Sequence, residues 1–174
     1  MIYWMKHLPK VEIDETEYKP FIKNEWFRRN FMWFVYGLQI LLVIGSMWSG
    51  IWRFADGLFE LMAFGITFLI HELLHVLIVF SKGDLSLTHS GIFFWLNSDA
   101  KMTKTRFFFF VSTPFLVLTV LPAFVSLFVN GDLMYLLQFI AWINSIIAGA
   151  DIINMVLILF KPRKAIFYRG FYKV

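Results

Sequence analysis

Four long apolar segments, separated by shorter polar ones, dominate the chain. They cover about residues 31–52, 58–80, 107–129 and 133–160. Each is long enough for the roughly 20 residues that an α-helix needs to cross the hydrocarbon core of a bilayer. The pattern therefore predicts an all-α polytopic membrane protein with about four transmembrane helices.

The polar segment 81–106 is the least membrane-like part of the interior. Residues 85–88 alternate between apolar and polar side chains, as a half-buried strand does, and residues 91–96 form a second strand-like run. We therefore expect a small β-hairpin at 85–96 within this loop, on the cytoplasmic side of the membrane.

The positions of lysine and arginine predict how the chain is oriented. Residues 1–30 carry six of them, the loop 81–106 carries four and residues 161–174 carry five, whereas the other two loops carry one and none. Basic residues concentrate on the cytoplasmic side of membrane proteins. The predicted organisation is a cytoplasmic N-terminal segment at 1–30, a membrane-embedded core at 31–160 and a basic cytoplasmic tail at 161–174.

Composition excludes several other classes of protein. Of the 174 residues, 59% are hydrophobic and 16% are charged, against about 45–50% and about 25% in soluble domains. The absence of cysteine excludes disulfides, cysteine-ligated metals and a thiol nucleophile. The net charge of +4 follows from the membrane orientation, so the expected partner is the lipid bilayer and no nucleic acid.

The second apolar segment contains the motif H-E-x-x-H, as His71-Glu72-Leu73-Leu74-His75. On a helix, residues i and i+4 lie on one face, one turn apart, so both imidazoles can bind one metal ion. Glu72 lies about 100° round the helix from His71, where it can take a proton from an attacking water. The motif predicts a catalytic zinc site, and a buried His–Glu pair that joins helices is the alternative.

A tetrahedral catalytic zinc needs a third protein ligand. Asp151 is the only acid in the interior of the fourth apolar segment. If the second segment ends near residue 80 and the fourth near residue 160, His71 and Asp151 lie at the same depth in the membrane. The remaining histidines, His7 and His89, fall outside the predicted spans. Asp151 is therefore the predicted third ligand, with a helix-packing hydrogen bond as the alternative.

Two asparagines flank Asp151 on nearly the same side of the predicted helix. Asn144 lies two turns before it and Asn154 lies one turn after it. Either side-chain amide could donate to a substrate carbonyl or to a developing oxyanion. Either could instead join neighbouring helices.

These motifs resemble those of the site-2 protease class of intramembrane zinc metalloproteases, which carry H-E-x-x-H on one transmembrane helix and an Asp ligand on a later one. From about residue 31 to the tail, the chain more closely resembles the small bacterial DUF3267 family of zincin peptidases. The residues that carry this resemblance are the motif at 71–75, Asn144 and the stretch Gly149-Ala150-Asp151. That stretch usually reads Gly-Asp in the family, so this chain has an inserted alanine.

The resemblance implies one zinc ion per chain, with His71, His75 and Asp151 as ligands and Glu72 as general base. It implies an endopeptidase of a bacterial plasma membrane that hydrolyses membrane-embedded or small membrane-associated peptides. A substrate helix would have to unwind, because its carbonyls are hydrogen-bonded within the helix. A strand at 85–96 could then pair with the unwound segment. A homo-oligomer is left open.

Two other functions are compatible with the same motif. Metal transporters of the ZIP type also carry His-Glu-x-x-His-like motifs on a transmembrane helix, although this chain has about half their number of spans. A non-catalytic membrane interaction or immunity protein could keep a structural metal site. Such a site would not need Glu72.

Overall fold

The protein is mostly helical, with two small β-sheets. The computed structural model describes residues 2–5, 13–14, 16–53, 57–80, 85–90, 93–98 and 100–174, with the backbone alone at 2–5, 53, 85–90 and 93–98. The helices are α1 (Glu25–Arg29), α2 (Phe31–Trp48), α3 (Leu58–Val79), α4 (Lys104–Phe115), α5 (Leu121–Val125), α6 (Gly131–Ile147) and α7 (Gly149–Leu159), with a 3₁₀ turn at Ile51–Arg53 and a π-helical turn at Leu116–Val120. The strands are β1 (Ile2–Met5), β2 (Lys19–Pro20), β3 (Leu85–Ser90), β4 (Phe93–Ser98), β5 (Met102–Thr103), β6 (Ile166–Tyr168) and β7 (Phe171–Lys173).

Three helices are long and apolar enough to cross a membrane, and there are four if α6 and α7 together form one bent span. Their outer faces expose large apolar side chains, among them Leu41 at 68% and Leu69 at 67%. Water would penalise such surface by about 25 cal/mol per Å², whereas lipid accommodates it. The prediction of a helical polytopic membrane protein with about four spans is confirmed.

The third span differs from the predicted segment at both ends, running as Lys104–Val125. It begins earlier because the Thr103 side chain accepts from the Arg106 backbone N–H at 3.4 Å and caps the helix. Pro114 lies inside α4 without ending it, and the π-helical turn follows directly. The helix therefore continues past this proline with a changed hydrogen-bonding pattern.

The fourth span is broken at Ala148, where α6 and α7 meet at 66°. The break frees the carbonyl of Ile146, which accepts a hydrogen bond from Gln39 Nε2 on α2 at 3.0 Å. A Cβ atom on Gly149 would lie 2.9 Å from Gln39 Cγ, so glycine permits the close approach of the two helices. The sequence predicted one continuous segment here, and the break was not foreseen.

The predicted hairpin is present as β3 and β4, which pair antiparallel from Leu85 opposite Ser98 to Ser90 opposite Phe93. Strand β1 adds to the other side of β3 in parallel, so β3 is central in its sheet. The residues between the two hairpin strands, 91–92, lie outside the described residues. The third strand was not predicted from the sequence.

A second sheet, in the order β2-β7-β6-β5, joins the N-terminal segment, the loop after the hairpin and the tail. Its apolar side buries Phe21, Phe167 and Tyr172 in one cluster. The Lys161 ammonium donates to the Phe21 carbonyl and lies 5.0 Å and 4.9 Å from the ring centroids of Phe21 and Tyr172. Burial, and then the nearby Lys23 charge, lower the pKa of Lys161. The sequence predicted only a basic tail, whereas the tail forms a hairpin of this sheet.

Candidate metal centre

Three side chains from two helices converge on one point inside the helical bundle. His71 and His75 lie on α3, one turn apart, and Asp151 lies in the first turn of α7. The three distances among His71 Nε2, His75 Nε2 and Asp151 Oδ2 are 3.2, 3.2 and 3.1 Å. Within the described residues, these three form the one group of His, Cys, Asp or Glu side chains that could hold a metal ion.

The triangle formed by these atoms fits a tetrahedral zinc ion. With metal–ligand bonds of about 2.0 Å, two ligands of a tetrahedral zinc are about 3.3 Å apart, and the observed edges are 3.1–3.2 Å. Two imidazoles and one carboxylate are also a donor set that zinc accepts in catalytic sites, leaving a fourth position open. The residues present therefore fit the metal.

The ligand side chains are largely buried. His71 is 3% exposed and His75 is 5% exposed, and the Asp151 side chain is 15% exposed. A low-dielectric environment strengthens the attraction between a cation and its ligands and makes an unpaired charge costly. The break before α7 places Asp151 in the first turn of that helix, at the positive end of the helix dipole.

Glu72 is half-buried and follows the first ligand histidine on α3. Its carboxylate is close enough to His71, His75 and Asp151 to interact electrostatically with each of them. A carboxylate next to the metal position, and not needed as a ligand, can serve as a proton acceptor. Its role as general base stays a prediction from the motif.

Each ligand histidine is held on its far side by an oxygen atom. His71 Nδ1 lies 2.9 Å from Asn144 Oδ1, and His75 Nδ1 lies 2.7 Å from the backbone carbonyl of Phe110. A carbonyl oxygen only accepts, so each Nδ1 carries a proton, and in the neutral imidazole each Nε2 then presents its lone pair to the site. Hydrogen bonds of this kind orient metal-binding histidines in general.

Asn144 is fully buried, and its side chain makes three hydrogen bonds. Its Nδ2 donates to the Pro114 carbonyl at 3.1 Å and to Thr119 Oγ1 at 2.9 Å, while its Oδ1 accepts from His71. Both hydrogens of the Asn144 amide are thus already donated to protein acceptors. This arrangement favours a role for Asn144 in holding His71 over the predicted role as a donor to an oxyanion. Asn154 is half-buried on α7, three residues after Asp151, and its predicted substrate role stays a prediction.

The structure also shows contributors that the sequence reasoning missed. These are the carbonyls of Phe110 and Pro114 and the hydroxyl of Thr119, all on the third span. Pro114, inside an apolar segment, is a sequence signal that could have pointed to this region. The other two histidines were predicted to lie outside the spans. His7 and the side chain of His89 lie outside the described residues.

The fold is that of a helical membrane protein, and its buried group of two histidines and one aspartate could hold a metal ion. A family model described as "Putative zincin peptidase", DUF3267, matches residues 64–166, which is more than half of the chain. The chain belongs to this family, which makes it a metallopeptidase by family. No curated protein and no solved structure is similar enough to the chain to match it.

Proposed function

We propose that this protein is an intramembrane zinc endopeptidase of the site-2 protease type, with His71, His75 and Asp151 as zinc ligands and Glu72 as general base. The observation that carries the proposal is the triangle of ligand atoms, with edges of 3.1–3.2 Å. It is built from two helices that are distant in sequence and lies among helices apolar enough to cross a membrane.

The proposed reaction is the attack of a water molecule on a peptide carbonyl. Zinc bound at the site would polarise that carbonyl and make the water more acidic. Glu72 takes the proton from the attacking water and then gives it to the leaving amine, so the carboxylate ends the cycle ionised. Asn144 and the Phe110 carbonyl keep the imidazoles of His71 and His75 in one orientation throughout.

The proposed substrates are membrane-embedded or small membrane-associated peptides in an extended conformation. The site lies inside a bundle of spans, so a helical substrate has to unwind before its carbonyl can be attacked. Strand β3 is paired on both sides, so within the expected stretch 85–96 it cannot be the strand that receives the substrate. Strand β4 has an unpaired edge in the described sheet and lies beside α3, so we assign substrate pairing to this strand.

Orientation and location are proposed as they were predicted, with both termini on the cytoplasmic side of a bacterial plasma membrane. The second sheet supports one part of this, because it brings residues 19–20, 102–103 and 166–173 to the same end of the bundle. All three stretches therefore lie on one side of the membrane. The abundance of lysine and arginine in these segments favours the cytoplasmic side.

Metal transport is less well supported by the geometry. A transport pathway needs successive polar positions along which an ion can move. In the part of the chain that the structure describes, the three ligands form a single candidate site, and both histidines are fixed by hydrogen bonds. Ligands that are held in fixed positions suit an ion that stays bound better than an ion that is being transported.

The test of the proposal compares wild type with Glu72→Gln and with Glu60→Gln, a control at the other end of the same helix. Each zinc-loaded chain in detergent is incubated with peptides extracted from bacterial membranes, and new peptide N-termini are counted by labelling and mass spectrometry. Loss of a general base typically costs about 10²–10⁴ in rate. We expect new termini from wild type and Glu60→Gln and at least about a hundredfold fewer from Glu72→Gln. A wild-type yield no higher than that of Glu72→Gln would overturn the proposal.

A further inference from the structure

The carbonyl that holds His75 has a special position in its own helix. In an α-helix, the carbonyl of residue i accepts from the N–H of residue i+4. The residue four positions after Phe110 is Pro114, which has no N–H. Phe110 therefore cannot receive its regular helical hydrogen bond. Its oxygen instead lies 2.7 Å from His75 Nδ1.

The same proline also takes part in holding the other ligand histidine. The Pro114 carbonyl accepts from Asn144 Nδ2 at 3.1 Å, at the point where α4 passes into the π-helical turn. Because this carbonyl only accepts, Asn144 must turn its NH₂ group toward it and its oxygen toward His71. Thr119, inside the π-helical turn, adds a second acceptor for the same NH₂ group at 2.9 Å.

We propose that Pro114 is a positioning residue for both histidines of the metal site. It leaves the Phe110 carbonyl free to fix the tautomer of His75, and its own carbonyl sets the orientation of Asn144 and so the tautomer of His71. Pro114 is fully buried, and it is linked to the two histidines by the Phe110 carbonyl and by its own carbonyl. The inference rests on the proposed function in one respect, since it takes His71 and His75 to be zinc ligands.

The chain offers a matched control in Pro122. This proline is also buried and lies in the first turn of α5, in the same span. Pro122 has no N–H to donate to the carbonyl of Leu118, four residues earlier. This carbonyl is not among the groups that hold either histidine. Pro122→Ala therefore removes a buried proline from the same span without changing the groups that hold the two histidines.

The experiment measures zinc affinity by chelator competition and the visible spectrum of the Co²⁺-substituted protein, for wild type, Pro114→Ala and Pro122→Ala. In Pro114→Ala, a new N–H competes with His75 for the Phe110 carbonyl. Loss of such an outer hydrogen bond typically weakens metal binding 10–100-fold. We expect zinc binding at least about tenfold weaker and a shifted cobalt spectrum in Pro114→Ala, with Pro122→Ala like wild type.

Equal affinities and equal cobalt spectra for the two proline variants would overturn the inference while leaving the proposed function intact. Wild type that binds no zinc would overturn both. If Pro114→Ala does not fold, the zinc-loaded wild type still tests the inference by ¹⁵N NMR of its histidine rings. Two Nδ1–H protons protected from exchange with solvent are then expected, and their absence would contradict the inference.

Discussion

At the scale of single residues, the motif at 71–75 was accessible from the sequence because its members share one helical turn. Spacing on one helix determines which side chains meet, so His71 and His75 could be paired without a structure. Asp151 required a further argument from depth in the membrane, and the structure brings it to 3.1–3.2 Å from both imidazoles. The Phe110 carbonyl could not be predicted, because contacts between helices depend on how the helices rotate and slide against one another.

A substitution of Asn144 distinguishes two roles for this residue, the holding of His71 and the binding of an oxyanion. Asn144→Ala removes the acceptor of the His71 Nδ1–H and leaves a buried donor without a partner, which is costly. We expect zinc affinity to fall about tenfold, as for other groups that orient metal-binding histidines. Equilibrium zinc competition measures this change, and Asn154→Ala is the matched control. An unchanged zinc affinity together with a lower kcat would favour the oxyanion role instead.

At the scale of elements, the break in the fourth span determines where Asp151 lies. Had α6 continued straight through Ala148, the residues beyond it would follow a path that differs by 66°. The Ile146 carbonyl freed by the break is satisfied by Gln39, as is required of backbone groups in a membrane interior. The sequence showed the small residues at 148–150 but not the bend, because apolar length alone does not distinguish a straight span from a broken one.

Gly149 is the position where this arrangement is most sensitive to substitution. In Gly149→Ala, the new Cβ lies 2.9 Å from Gln39 Cγ, and relief of such overpacking typically costs about 1–3 kcal/mol. Any shift of the start of α7 also moves Asp151. We expect a lower thermal unfolding temperature and weaker zinc binding in this variant, measured on the same purified chain.

Gly65 on α3 is the control for this prediction, since a Cβ there meets no atom within 4 Å. Gly65→Ala should be neutral or stabilising by up to about 1 kcal/mol, given the helix propensities of the two residues. If Gly149→Ala behaves like Gly65→Ala in both measurements, the close approach of α2 to the break does not position the third ligand.

At the scale of the whole molecule, the sequence predicted the class and the approximate number of spans, because apolar length and composition follow directly from the needs of a bilayer. It also predicted the hairpin of β3 and β4, from alternation in a polar loop. It did not predict the second sheet, whose strands are only two or three residues long and come from three distant parts of the chain. Pairing over such distances leaves no local pattern in the sequence.

The central claim is that the second and fourth spans together hold one zinc ion, and zinc content tests it most directly. Zinc per purified chain is measured for wild type, Asp151→Ala and Asp132→Ala, the last being a control at the exposed start of α6. We expect about one zinc in wild type and in Asp132→Ala and a marked loss in Asp151→Ala, because two imidazoles alone leave the site without a third protein ligand. Full zinc content in Asp151→Ala, or no zinc in wild type supplied with the metal, would contradict the account.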